Sequence, residues 1–112
     1  MDERRRFPRY GASLEVEYDL ENTVGIESKT NTLNISLAGI SIPLNRAVRE
    51  GKRLGLKIKV PDGKEVRALG KVVWKKAIGK NLFQEEDAGI KFLGIYNDGA
   101  DVLDKYLQTI AA

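Results

Sequence analysis

The segment that decides the fold is LGLKIKVPDGKEVRALGKVVW, residues 54–74. Its apolar side chains alternate with polar or small ones on both sides of a turn, Pro61-Asp62-Gly63-Lys64. Period-two alternation is typical of strands with one face in a core, and Pro-Asp-Gly is a strong turn sequence. The segment therefore predicts an antiparallel hairpin. Gly70 is the expected site of a bend or bulge, and Trp74 is placed on the inward face.

The same alternation continues outward from this hairpin. It predicts strands at about 12–20, 26–33, 40–44 and 88–93, which with 54–60 and 65–76 makes six. Residues 34–39 and the acidic Glu85-Glu86-Asp87 cluster are interpreted as a loop and a solvated turn. Apolar residues at helical spacing predict a C-terminal α-helix at about 98–110. We therefore predict a mainly β protein, a six-stranded antiparallel β-barrel with a C-terminal helix (residues 12–112), preceded by an arm (residues 1–11).

Composition excludes several functional classes. The chain has 112 residues, the length of one domain, and it contains neither cysteine nor histidine. Disulfides, thiolate nucleophiles, zinc sites built on these residues and histidine acid–base catalysis are therefore excluded. We expect a protein that is not an enzyme, with no catalytic residues, metal or cofactor. No signal peptide or bilayer-length apolar run is present, so a cytoplasmic location without a membrane partner is expected.

Charge is distributed unevenly along the chain. The net charge of +3 combines four arginines against two acids in residues 1–10 with twelve basic against three acidic residues in residues 46–80. The intervening and C-terminal segments are acidic. An anionic partner is the consequence to consider. The basic middle leaves open a small barrel that binds single-stranded nucleic acid, although Trp74 is the only aromatic residue in that span.

Two short segments carry candidate binding groups. The arm contains Arg4-Arg5-Arg6-Phe7-Pro8-Arg9, and guanidinium groups form bidentate bonds with phosphates and guanine and stack on purines. The second segment is Asn34-x-Ser36-x-x-Gly39, in which an amide, a hydroxyl and a glycine share one turn. Gly39 permits either a positive φ or a close backbone approach. Taken singly, the two segments also fit a basic tail and an ordinary Ser/Thr turn.

In combination and in this order, the two segments resemble the PilZ domain family. The matching residues are Arg4-Arg5-x-x-x-Arg9 and Asn34-x-Ser36-x-x-Gly39. The C-terminal part is also similar, with GKVVW at residues 70–74, AGIKF at residues 88–92 and a closing helix. A second Arg-x-x-x-Arg, Arg49 and Arg53, follows the turn motif and does not fit the family's order.

The resemblance implies a bacterial second-messenger receptor for cyclic di-GMP. By that analogy Arg5 and Arg9 contact guanine and phosphate, while Asn34, Ser36 and Gly39 hold a guanine and the adjoining ligand backbone. Arg4 occupies the position that in the family accompanies two stacked ligand molecules.

The secondary candidates are Arg6 and Trp74, with a core position favoured for the indole. The family's first turn residue is most often Asp, which accepts hydrogen bonds with more charge than Asn34. We expect the arm to become ordered on binding and so to form a surface for a downstream protein partner. Single-stranded nucleic acid is the alternative ligand.

Overall fold

The computed structural model describes residues 7–20, 28–45, 47–77 and 85–111. Within these ranges the chain forms seven strands and one helix. They are β1 (Glu15–Leu20), β2 (Ser28–Asn31), β3 (Asn34–Ile35), β4 (Gly39–Asn45), β5 (Arg53–Lys59), β6 (Glu65–Ala77), β7 (Glu85–Ile95) and α1 (Gly99–Ala111). Of the predicted elements, residues 1–6 of the arm and the start of the strand at about 26–33 lie outside the described residues. Among the described residues, no helix has the length and apolar character needed to cross a membrane.

The strands form one antiparallel sheet that curls until its two ends meet. The hydrogen-bonded order is β2-β1-β5-β6-β7-β4-β3, so β2 and β3 are the two ends, yet only Thr32 and Leu33 separate them in the chain. The Thr32 amide donates to the Leu14 carbonyl at 2.9 Å, and the Leu33 amide donates to the Ser41 carbonyl at 2.7 Å. These two consecutive residues tie both ends together. The predicted mainly β antiparallel barrel with a C-terminal helix is confirmed.

The core lies inside this curled sheet and follows the predicted alternation. Val16, Ile42, Leu54 and Ile58 are completely buried, and Leu103 of α1 joins them. Burying one such aliphatic side chain stabilises the fold by roughly 1.5–3 kcal/mol. The barrel therefore leaves the outer face of its strands available for polar functional groups.

The structure corrects the predicted loops at two places. Asn34 and Ile35 form a seventh strand that pairs with Ser41 and Ile40, because Ile35 is completely buried and its backbone needs partners. Residues 85–87 lie in β7 between β4 and β6, not in a turn. There the Glu86 carboxylate pairs with the ammonium of Lys75 at 3.0 Å. In both places long-range pairing overrides the local loop character.

Candidate ligand-binding cleft

A cleft of about 600 Å³ lies on the outside of the barrel. Its walls come from the arm, the β3–β4 turn and the middle of β6 and β7. This volume is in the range of sites that take ligands of drug size. Five of the residues singled out from the sequence line it: Arg9, Asn34, Ser36, Gly39 and Trp74. Arg4, Arg5 and Arg6 lie outside the described residues.

Within the described residues, one backbone bridge attaches the arm to the barrel beside the cleft. Tyr10 and Ile35 exchange both amide-to-carbonyl hydrogen bonds at 2.9 Å, which attaches the arm to the free edge of β3. Arg9 and Phe7 are thereby placed beside the β3–β4 turn. Arg9 is exposed, and its guanidinium forms no ion pair with the side chains of the described residues. A permanent charge is thus available at the rim of the cleft.

The hydroxyl of Ser36 stabilises the β3–β4 turn by hydrogen bonds to the backbone of the turn. It accepts hydrogen bonds from the amides of Ala38 at 3.0 Å and Gly39 at 3.3 Å. The Ser36 amide in turn donates to the Gly39 carbonyl at 2.9 Å. The Ser36 residue is 3% exposed. Its hydroxyl is therefore engaged by the backbone of the turn, and it fixes the positions of the two flanking motif residues.

Gly39 is required by a close approach of two backbones. It pairs with Lys91 of β7, and a Cβ at this position would collide with the carbonyl oxygen of Ile90. A positive φ is not the reason, because among the described glycines only Gly51 and Gly63 have one. Of the two explanations open from the sequence, the structure selects close approach.

Asn34 also lines the cleft, beside the β3–β4 turn. Its Nδ2 donates to the hydroxyl of Ser41 at 3.2 Å, and the residue is half-buried. That bond orients the amide and assigns its Oδ1 the part of hydrogen-bond acceptor. Ser41 was not recognised from the sequence, because its role arises only from pairing between β3 and β4.

Trp74 lies in the cleft and not in the core, which corrects the sequence-based expectation. Val72 pairs with Ile90 and Trp74 with Gly89, so Val73 is an extra residue in β6. Such a bulge reverses the inward and outward alternation beyond it. The indole therefore faces outward above Gly89, where a Cβ would collide with its ring. The bend predicted at Gly70 is also found, as a second register shift between Leu69 and Gly70.

Several lysines of the basic middle are matched by acids from other strands. The Lys59 ammonium lies 3.0 Å from the Glu15 carboxylate and 3.2 Å from that of Glu17. The hydrogen bond from Lys59 lowers the pKa of Glu17, and the two carboxylates, Glu15 first, raise the pKa of Lys59. Lys75 also donates to the carbonyl of Val48 at 2.6 Å. Part of the surplus charge is thus neutralised locally, which weakens the case for a nucleic-acid surface there.

No metal-binding arrangement accompanies the cleft in the described part of the chain. No group of three or more acidic, histidine or cysteine residues there could hold an ion. The described residues that line the cleft offer a guanidinium, an ammonium, an amide, hydroxyls, an indole and backbone groups.

Comparison with known proteins gives consistent results at the level of family and fold. The family model described as PilZ domain matches residues 3–109. No curated protein matches the chain in sequence.

Three solved structures illustrate the shared fold. The inhibitor of motility MotI/DgrA of Bacillus subtilis has a TM-score of 0.76 at 23% identity, over 94% of this chain and 50% of that one. YcgR of Escherichia coli, solved in complex with c-di-GMP, has a TM-score of 0.75 at 14% identity, over 96% and 46%. The PilZ domain of CeSA from a cellulose-synthesizing bacterium has a TM-score of 0.67 at 11% identity, over 94% and 99%. The chain thus spans about half the length of the first two proteins.

Proposed function

This chain belongs to the PilZ domain family, and we propose that it is a receptor for cyclic di-GMP. One observation carries the proposal. Arg9, Asn34, Gly39 and Trp74 come from three separate parts of the sequence, and they line one cleft of about 600 Å³. A similar fold was solved with c-di-GMP bound, in YcgR of Escherichia coli. The cleft offers what a cyclic guanine dinucleotide needs, namely a permanent cation, a guanine acceptor and an aromatic face.

Each group has a distinct part in the proposed complex. Arg5 and Arg9 bind phosphate and the guanine edge by charge-assisted, bidentate hydrogen bonds. The Oδ1 of Asn34 accepts from guanine N–H groups, and Gly39 lets the ligand and β7 approach the backbone of the turn. The indole of Trp74 offers a flat surface to a base. Arg4 supports a second, stacked ligand molecule, and Arg6 adds to the positive potential.

Binding of cyclic di-GMP orders the arm, and the ordered arm forms a new surface for a partner protein. Fixing one residue costs roughly 1–2 kcal/mol of backbone entropy, while one charge-assisted hydrogen bond contributes about 1.5–3 kcal/mol. Several arginines must therefore act together to hold the arm in place. Phe7 lines the cleft and also a smaller pocket, which is lined by Leu37 of the β3–β4 turn and by Leu107 of α1. The ordered arm and the C-terminal half of α1 would together form the surface that a partner protein reads.

Calorimetric titration of the chain with cyclic di-GMP tests the proposal directly. We expect saturable binding with about two ligands per chain, as the stacked mode assigned to Arg4 requires. Cyclic di-AMP is the matched control, because adenine lacks the N1–H and N2–H₂ groups from which Asn34 would accept hydrogen bonds. Absence of heat with cyclic di-GMP would reject the receptor. A ratio of one would reject the part assigned to Arg4.

Titration with mixed single-stranded oligonucleotides separates the alternative function. If the basic middle were the binding surface, affinity would be high and would fall steeply with salt, because phosphate contacts release counterions. We expect weak binding instead, since Lys59 and Lys75 are already paired with carboxylates.

Replacing Asn34 by Asp is expected to strengthen binding. A carboxylate accepts the two guanine N–H donors with full charge, whereas the amide accepts with one neutral oxygen. Hydrogen bonds to charged groups exceed neutral ones by about 1 kcal/mol, which corresponds to roughly fivefold tighter binding. The Ser41 hydroxyl, now 3.2 Å from Nδ2, can rotate and donate to the new carboxylate. Weaker binding by Asn34→Asp in the same calorimetric assay would contradict a guanine acceptor at this position.

A further inference from the structure

Three cations, Lys91, Lys71 and Arg53, lie side by side across the outer face of the sheet. We call these three residues the cationic row. The pairing register sets Gly39 of β4 opposite Lys91 of β7, Lys91 opposite Lys71 of β6, and Lys71 opposite Arg53 of β5. Neighbouring strands are about 4.8 Å apart, so the row extends roughly 10 Å from Lys91. The row begins at the cleft, because Lys91 and Gly39 both line the cleft.

This row differs from the other lysine positions of the sheet. Several other lysines have an acid in register on at least one side, as Lys76 has Asp87 and Lys57 has Glu17, although Lys57 faces Arg67 on its other side. Lys71 and Lys91 are both exposed and face each other, and neither forms an ion pair with the described residues. Like charges directly opposite on adjacent strands destabilise a sheet. The fold therefore carries a local cost here that an anionic ligand would relieve.

The positions of Lys91 and Arg9 flank the cleft. Tyr10, Ile35, Ile40 and Ile90 form one register row from the arm through β3 and β4 to β7. Arg9 precedes the first of these residues and Lys91 follows the last, so their backbones are at most three strand spacings, about 14 Å, apart. A cyclic dinucleotide carries its two phosphates on opposite sides of one ring. A ligand held at one phosphate by the arm presents the other toward the opposite wall.

We propose that Lys91, supported by Lys71, is a second phosphate-binding site, which holds the cyclic dinucleotide phosphate that the arm does not reach. This inference rests on the proposed function. The arm's guanidinium groups bind one phosphate, and the ammonium of Lys91 binds the other as a point charge. Lys71 raises the local potential and thereby strengthens the attraction for phosphate. The ligand is then bound between two elements of the fold.

Substitutions of Lys91 test this site by opposite effects on affinity and stability. We expect Lys91→Gln to weaken cyclic di-GMP binding about tenfold and Lys91→Glu about twentyfold, because one charge-assisted contact is lost. The free Lys91→Glu protein should melt at or above the wild-type temperature, since a carboxylate opposite Lys71 replaces like-charge repulsion by attraction. Lys71→Gln should weaken binding about threefold through the lost potential. Lys105→Gln, on the exposed face of α1, is the matched control and should bind as wild type.

The outcomes distinguish this inference from the proposed function. If wild type binds cyclic di-GMP and both Lys91 variants bind equally well, the second phosphate site is rejected and the receptor stands. If both Lys91 variants lose affinity together with melting temperature, the lysine is structural and the site is likewise rejected. If wild type shows no binding, the receptor and the site fail together.

Discussion

Replacement of Arg9 by alanine is expected to weaken cyclic di-GMP binding about 100-fold, a loss of about 2.7 kcal/mol. The guanidinium stands at the rim of the cleft and forms no ion pair with the described side chains, so its charge is available to the ligand. A charge-assisted bidentate contact contributes about 1.5–3 kcal/mol. In addition, an arm that gains less from the ligand is less often ordered. The affinity should fall through faster dissociation, measured by calorimetry and by surface kinetics.

Two control variants sharpen this experiment. Arg9→Lys keeps the charge but loses the planar fork, and an intermediate affinity is expected. Arg49→Ala removes another exposed arginine, which belongs to the other Arg-x-x-x-Arg sequence and does not line the cleft. It should bind as wild type. Because Arg9 is exposed, its removal should leave the melting temperature nearly unchanged. Equal affinities for Arg9→Ala and Arg49→Ala would reject the arm as a binding element.

Replacement of Gly39 by alanine is expected to damage both the fold and the site. The new Cβ would meet the carbonyl oxygen of Ile90, a backbone atom that cannot turn aside as a side chain can. Separating β4 from β7 at this point should cost about 2 kcal/mol of unfolding free energy. The shift also displaces the turn in which Ser36 binds the Gly39 amide at 3.3 Å. We expect cyclic di-GMP affinity to fall about 30-fold, because restoring the displaced turn on binding would cost about 2 kcal/mol.

Gly94→Ala is the matched control for this substitution. Gly94 also lies in a strand, but a Cβ there would meet no atom within 4 Å. Its stability should equal or slightly exceed that of wild type, because alanine reduces the entropy of the unfolded chain. Chemical denaturation followed by tryptophan fluorescence measures both variants. If Gly39→Ala were as stable as Gly94→Ala, the close approach of β4 and β7 would not be what requires glycine.

The alternation of apolar residues was enough to predict most strands, because burial of one sheet face imposes period two on the sequence. The turn at residues 61–64 and the C-terminal helix followed from local rules of the same kind. The two candidate binding segments could also be recognised, since arginine-rich and Asn-x-Ser-x-x-Gly segments have distinctive chemistry. These features depend on neighbours in the chain, and a sequence displays them directly.

Tertiary pairing decided the rest. The bulge at Val73 directs the side chain of Trp74 into the cleft instead of the core. No local sequence pattern marks which residue of a long strand is left unpaired. The burial of Ile35 made a strand of what reads as a loop. Lys91 entered the site only because β7 lies beside β4, a contact between residues about 50 positions apart in the chain.

The sequence by itself therefore determined the type of fold and the motifs, while the arrangement of the cleft was decided by which strands became neighbours. The physical reason is that side-chain periodicity is a property of each strand alone. Register and bulges depend instead on partner strands that are distant in the chain.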